Sequence, residues 1–307
     1  MKRVYILFVA MLMSYSSFAQ EAAVDTSWKR SGIFGLNFTQ VSLSNWAAGG
    51  QNSISGIALF NYTANYAKGK NNWDNVIDIA YGLTQNGKDD AIKSEDKIDL
   101  ATKYGRHAFK HWYYTALLGF KTQFSKGYNY PNDSVKISNF MAPAYFTIAL
   151  GMDYKPNDNF TLLIAPVTGR ITIVNDQDLA DAGAFGVDAA EYNALGVKTK
   201  DGETSLYEFG ALLKAVYKKD VLENVTLMTK LELFSNYIDN PQNVDVNWEV
   251  LISMKVNKYI TATLSTQLIY DDNTILTIDN NSDGIIDESG PRTQFKEVLG
   301  VGLAYKF

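Results

Sequence analysis

The chain has 307 residues, with 28 basic and 33 acidic side chains, a formal net charge of −5, 46% hydrophobic residues and no cysteine. An acidic balance argues against a nucleic-acid partner, and the absence of cysteine excludes a disulfide framework and a lipoprotein attachment site. Nineteen Tyr, sixteen Phe and five Trp exceed what a globular core requires, and amphipathic rings are what membrane interfaces collect.

Residues 1–20 begin with Lys2 and Arg3, continue as an apolar run to Met13 and end on Ser17-Phe18-Ala19 before Gln20. This is the pattern of a cleaved signal peptide, because the run is well short of the roughly 20 residues a membrane helix needs. Cleavage would leave 26 basic and 33 acidic residues, a balance of −7. Residues 21–32 read as a short periplasmic lead and residues 33–307 as one barrel domain. No later apolar stretch is long enough for a membrane helix, whereas strands that are apolar on one face only agree with the moderate hydrophobic content.

From Ile33 the chain breaks into about 12 alternating segments, the even number that bacterial barrels prefer. They lie near 33–43, 53–67, 73–86, 96–109, 111–125, 140–155, 160–173, 206–218, 225–238, 244–257, 259–270 and 294–307. The connections alternate short and long, as periplasmic turns and outer loops do in a barrel. Long connections carry Asp89, Asp90, Asp176, Asp178, Asp181, Asp188, Asp279 and Asp283, whereas the short turns carry Lys68, Lys70, Lys110, Lys155, Lys218, Lys219 and Lys258. Aromatic residues flank both ends: Trp112, Tyr154, Phe160, Tyr217, Tyr259 and Phe307 by the short turns, and Trp46, Phe124, Tyr207, Tyr237, Tyr270 and Phe295 by the long ones. Pro143 and Pro166 fall inside proposed strands, where a missing ladder donor predicts bulges.

Alternation also sorts the faces. Val225, Leu227, Leu231, Leu233 and Tyr237 share one face, and Val246, Trp248, Val250, Ile252 and Met254 another, both suited to lipid. A charge on that face costs about 2–4 kcal/mol near the bilayer midplane, so the charged positions belong inside. Asp78, Asp99, Lys103, Lys121, Lys214, Lys230, Glu232, Glu249 and Lys255 are the expected lumen-lining residues. Two readings follow: a structural network that fills a narrow barrel, or a path that selects small polar solutes.

The run from Asp279 to Glu288 (DNNSDGIIDE) has oxygen ligands at its first, third and fifth positions, then a glycine, like the start of an EF-hand-type calcium loop. The twelfth position is Pro291, so the usual bidentate glutamate is missing, and Asp279, Asn281, Asp283 and Asp287 are the candidate Ca²⁺ ligands. The competing reading is an acidic hairpin loop that binds no metal. His107 and His111 flank the short turn at Lys110 on the periplasmic side, far from where an outer-leaflet lipid hydrolase needs a Ser–His pair. No catalytic residue is therefore expected.

In the last strand Phe307, Tyr305, Leu303, Val301 and Leu299 alternate with Lys306, Ala304, Gly302 and Gly300. Ending on an aromatic residue, it reads as the closing strand and as the insertion signal taken up by the barrel-assembly machinery.

The run FTQVSLSNWAAGG, Phe38 to Gly50, resembles the N-terminal signature of a Bacteroidota outer-membrane barrel family catalogued as domain of unknown function 3078. The resemblance implies a barrel over the whole mature chain and implies no substrate. The expectation is therefore an all-β, transmembrane, antiparallel up-and-down barrel in a Gram-negative outer membrane, surrounded by lipid. Its expected role is a narrow channel or transporter for small polar solutes; the alternatives are a structural or surface-interaction barrel working through its acidic loops and, third, a lipid enzyme.

Overall fold

The computed structural model describes residues 27–43, 51–130, 133–278 and 287–307, leaving aside the Lys306 side chain. Twelve antiparallel strands close into a barrel in which every strand pairs with its neighbours in sequence and the last pairs with the first. They are β1 (Trp28–Val41), β2 (Ser53–Lys68), β3 (Asn71–Asn86), β4 (Ile92–Phe109), β5 (Trp112–Thr122), β6 (Ala144–Asn157), β7 (Phe160–Ile173), β8 (Ser205–Leu222), β9 (Val225–Asn236), β10 (Asp245–Lys255), β11 (Ile260–Tyr270) and β12 (Gln294–Lys306). The shortest, such as β5 with 11 residues, meet the 9–11 that a tilted membrane strand requires, while β4 and β8 reach 18. β1 begins at Trp28, upstream of the alternation that starts at Ile33, because Trp28 to Gly32 continue the ladder with Tyr66 to Tyr62 of β2.

Short and long connections alternate as the spacing indicates. At one of the two-residue turns, between Lys68 and Asn71, Gly69 takes a left-handed φ of 60°, which helps two residues reverse the chain. Outward positions are apolar and exposed: Leu299, Val301, Leu303, Tyr305 and Phe307 of β12 are 54–68% accessible, alternating with half-buried or buried positions. Such an exterior belongs in lipid, since a soluble surface rarely exposes a contiguous apolar belt. Trp28, Tyr66 and Trp73 cluster at the short-turn end with Phe109, Trp112 and Tyr154, while Tyr207, Phe209, Tyr237 and Phe295 lie exposed at the other. Trp46 lies outside the described residues. Among the described residues no helix is long and apolar enough to cross a membrane.

The proline expectation divides. Pro143 precedes β6 and so needs no bulge within that strand. Pro166 sits in a real one: Leu150 pairs with Val167 and Met152 with Ile164, while Gly210 pairs with Thr168 and Leu212 with Ala165, so β7 carries one extra residue against both neighbours. A residue without an N–H loses least where the ladder is interrupted anyway. The bulge also resets the side-chain phase. Leu163 and Ala165 are buried before it and Thr168 and Thr172 after it, so Arg170 turns inward where uninterrupted alternation would aim it at lipid.

The β7–β8 connection folds upon itself. A short helix (Gln177–Asp181) and a 3-10 turn (Ala184–Gly186) pack Val174, Leu179, Ala180 and Val187 against Ala142. Asp176, held below the usual carboxylate range despite its burial, accepts from Asn139 and pairs with Lys136. Asp181 is lowered to about 2 by the hydrogen bond from Lys198, with help from Gln177. Part of the acidity of this loop is thus spent on holding its own shape.

Deleting Pro166 removes the extra residue and leaves the pairings on both sides in phase, so that variant should keep heat-modifiable electrophoretic mobility. Inserting one alanine after Thr168 should abolish it, because Arg170 would turn outward and leave Glu208 and Asp245 without their cation in the lumen. The reverse order of tolerance would contradict the phase argument.

Candidate functional site

The chemically dense part of the molecule is the barrel interior, which is asymmetric. On the β5–β9 side it is filled by Leu117, Ala149, Leu163, Ala165, Leu212 and Phe234. At mid-height lies a network of four lysines and four carboxylates. Asp78 and Asp99 stand directly opposite on β3 and β4, a like-charge pair that lysines offset: Lys97 is 2.8 Å from Asp78 and Lys230 is 3.1 Å from Asp99. Lys230 also lies 3.0 Å from Glu249, its neighbour across β9 and β10. Glu232 is shared by Lys121 at 3.0 Å and Lys214 at 3.1 Å.

Several of these pairs cross the barrel. Lys97 on β4 reaches Glu249 on β10 at 3.1 Å, although these strands are six places apart in a ring of twelve. Lys230 on β9 reaches Asp99 on β4, and Lys121 on β5 reaches Glu232 on β9. Strands on opposite walls can be joined at such distances only through the interior, so these side chains tie the walls together. Lys97, Lys121, Lys214 and Lys230 against Asp78, Asp99, Glu232 and Glu249 leave no net charge, which is the condition for holding ions away from bulk water.

Two further tiers lie above and below. Toward the short turns, Lys103 is 2.7 Å from Asp153, Lys155 is 2.5 Å from Asp74 and Lys155 is 3.5 Å from Asp153. Asp153 is 1% exposed and its oxygens receive no aligned hydrogen bond, so it is held by charge alone. Toward the long loops, Arg170 donates two bonds to Glu208, at 2.5 and 2.6 Å, and lies 2.6 Å from Asp245, its guanidinium 4.2 Å from the Phe234 ring centre. Asp271, in the loop after β11, is pushed up to about 6, first by burial and then by Asp245. It takes up a proton as pH falls through that value, removing one negative charge beside Asp245.

Of the lumen residues expected from alternation, Asp78, Asp99, Lys121, Lys214, Lys230, Glu232 and Glu249 come together in the middle tier and Lys103 joins the lower one. Lys255 stays apart, exposed at the short-turn end of β10. Lys97, Arg170, Glu208, Asp245, Asp74, Asp153 and Lys155 were not among them. Lys97 was findable as the i−2 neighbour of Asp99, and Asp74 as two alternations from Asp78. Arg170 is hidden by the bulge, and Lys155, a short-turn lysine by its spacing, belongs to β6 and reaches inward.

His107 and His111 lie at the β4–β5 turn, where His107 Nε2 meets the Lys110 carbonyl at 2.9 Å and each ring packs edge-on against a tyrosine. Asp279, Asn281 and Asp283 fall outside the described residues. Asp287 stands at the start of the hairpin strand Glu288–Pro291.

Replacing Lys230 by Met strands Asp99 and leaves Glu249 with Lys97 alone, and should destabilise the barrel by about 3 kcal/mol in urea unfolding from lipid. Adding Asp99→Asn should recover much of the loss, because the stranded charge goes with its partner. A neutral Lys230→Met would show that the network carries no such energy.

No curated protein matches the chain. Among solved structures it resembles an outer membrane channel from Pseudomonas putida F1, with 10% identity, TM-score 0.39 and coverage of 94% of this chain and 98% of that one. It also resembles the translocator domain of the autotransporter NalP from Neisseria meningitidis (9%, 0.38, 100% and 97%) and outer membrane phospholipase A from Escherichia coli (12%, 0.35, 92% and 94%). At these scores the likeness argues for no activity, and the barrel rests on its own strand pairing. Residues 38–128 match the model of a family described as "Protein of unknown function (DUF3078)", a match that starts at the Phe38 where the run FTQVSLSNWAAGG starts.

Proposed function

We propose that this protein is an outer-membrane barrel of a Gram-negative envelope, exported by the cleaved signal peptide of residues 1–20, that offers small polar solutes a narrow path closed at rest by the mid-lumen ion network. The observation that carries this reading is the uneven wall. Charges and apolar bulk occupy the β3–β10 side, while the inward phase of the β11–β2 side carries Lys296 and sets small groups, among them Gly35, Asn37, Thr63, Ser265, Gly300 and Gly302, between Ile57, Leu59 and Val298. A balanced set of ion pairs reaching across such a space closes it without a plug domain, and solute or ions that compete for the pairs would open it.

A second reading, a surface-interaction barrel, is favoured by the folded β7–β8 loop with its own apolar core. Planar-bilayer conductance separates the two. The native protein should conduct weakly, and Lys97→Gln with Glu249→Gln, which cuts the tie between β4 and β10 while keeping charge balance, should raise the conductance several-fold. Silence in both would overturn the channel reading and leave the interaction reading.

We further propose that Asp279, Asn281, Asp283 and Asp287 bind Ca²⁺ weakly in the loop before β12, a reading supported by the ligand spacing alone. Calorimetry on the purified barrel should show calcium heat that disappears in Asp279→Ala with Asp283→Ala. Equal heat in the variant would remove this site.

A further inference from the structure

The seam where the chain closes on itself is paired over only part of its length. At the short-turn end it is pinned: Gly32 and Phe307 exchange backbone hydrogen bonds of 2.8 and 3.1 Å, and the Phe307 ring covers Gly32, where any Cβ would collide with it. The ladder runs from there to Asn37 opposite Gly302 and stops. Continued in register, Phe38, Thr39, Gln40 and Val41 would face Val301, Gly300, Leu299 and Val298, yet none of these pairs forms. The same residues of β1 remain paired to β2, and those of β12 to β11, so both edges are intact strands that simply part.

The height of the gap decides what it meets. Val301 and Val298 lie six and nine residues from Phe307, about 15 and 23 Å up a strand tilted near 40°. An apolar band is about 25 Å tall, so the gap opens in the outer leaflet. A free strand edge does not persist in hydrocarbon, because each unmet N–H or C=O costs several kcal/mol there. Something with polar groups must therefore sit at it.

A cavity of about 330 Å³ occupies this position. It faces the bilayer through Phe38 and Leu299, both exposed, and its upper rim carries the exposed Glu297 carboxylate on the same outward phase. Ile57 and Val298 continue the apolar wall inward, and Asn37 and Lys296 add polar groups. The Asn37 side chain lies across Gly300 and Gly302, whose lack of Cβ admits it. Lys296 is anchored by Glu95 of β4 at 3.0 Å.

We propose that the β1–β12 seam is a lateral portal through which an acyl-chain amphiphile of the outer leaflet enters the wall of the barrel. Its polar head meets Lys296 and the open backbone edges at the outer end, and its chain runs down along Val298, Leu299, Ile57 and Phe38. Lipid is the occupant because the gap opens on the lipid-facing surface and the cavity sets Lys296 and Glu297 at its outer end above an apolar stretch, the order in which an outer-leaflet amphiphile presents head and chain. The portal rests on the outer-membrane placement proposed above, but not on solute conduction.

The test uses the full barrel in proteoliposomes containing phosphatidylethanolamine with a photoactivatable diazirine in one acyl chain, followed by peptide mapping and hydrogen exchange. The portal predicts adducts on the inward-facing Ile57 and Val298 as well as on the outer belt, fast exchange of the seam-facing amides of Phe38, Gln40, Leu299 and Val301, and loss of the inner adducts in Thr39→Trp, which fills the gap. Retained heat-modifiable mobility shows that this variant folds. Adducts confined to the belt, with the seam amides as protected as those of β2 and β3, would mean a zipped seam and overturn the portal. A co-purifying polypeptide that protects those amides would put a partner strand there instead. No adducts anywhere would overturn the membrane placement as well.

Discussion

The interaction on which this molecule depends is the balanced set of ion pairs that joins opposite walls at mid-barrel. A 12-stranded ring alone sets a diameter and leaves a water-filled interior, where isolated lysines and carboxylates would be solvated separately and contribute little. Here the side chains of β4 and β5 meet those of β9 and β10, so each charge trades water for an opposite charge. The balance matters more than any one bond: a buried pair is nearly neutral for stability as a pair and costly when one partner is lost. This favours rigidity over permeability and makes the same residues the natural control point of any path through the barrel.

Two irregularities of the wall act on this scheme from opposite sides. The bulge at Pro166 rephases β7 so that Arg170 meets Glu208 and Asp245, adding an upper tier beneath the folded outer loop. The seam between β1 and β12 works in the other direction. It is tight where Phe307 locks onto Gly32 and open from Phe38 upward, on the side of the lumen that lacks the ion network. One side of the barrel is therefore braced across its interior at mid-height, while the other, tied there among the described residues only by Lys296 to Glu95, has the weakest stretch of ladder.

Much of this was legible in the sequence. Strand number, connection lengths, aromatic girdles and the lipid-facing residues of β9, β10 and β12 follow from period-two alternation, because a charge in lipid is costly enough to enforce the pattern. The inward phase of Asp78, Asp99, Lys230, Glu232 and Glu249 was readable for the same reason. Which of them touch was not, since alternation assigns a face but carries no information about the opposite wall. Arg170 escaped because a one-residue bulge inverts the reading beyond it. The parted seam escaped too: Phe38 to Val41 and Val298 to Val301 alternate like any other strand, and nothing in one strand's own pattern records that its partner has turned away.

The central claim is that the walls are tied through the lumen, and zero-length carbodiimide coupling tests it directly. The reagent joins a lysine amine to a carboxylate as an amide only where the two are already in contact. In the membrane-embedded protein, peptide mapping should recover Lys97 joined to Glu249 and Lys121 joined to Glu232, links between strands that are not neighbours. Recovery of neighbouring-strand links such as Lys214 to Glu232 alone, with neither cross-lumen link formed, would contradict the account.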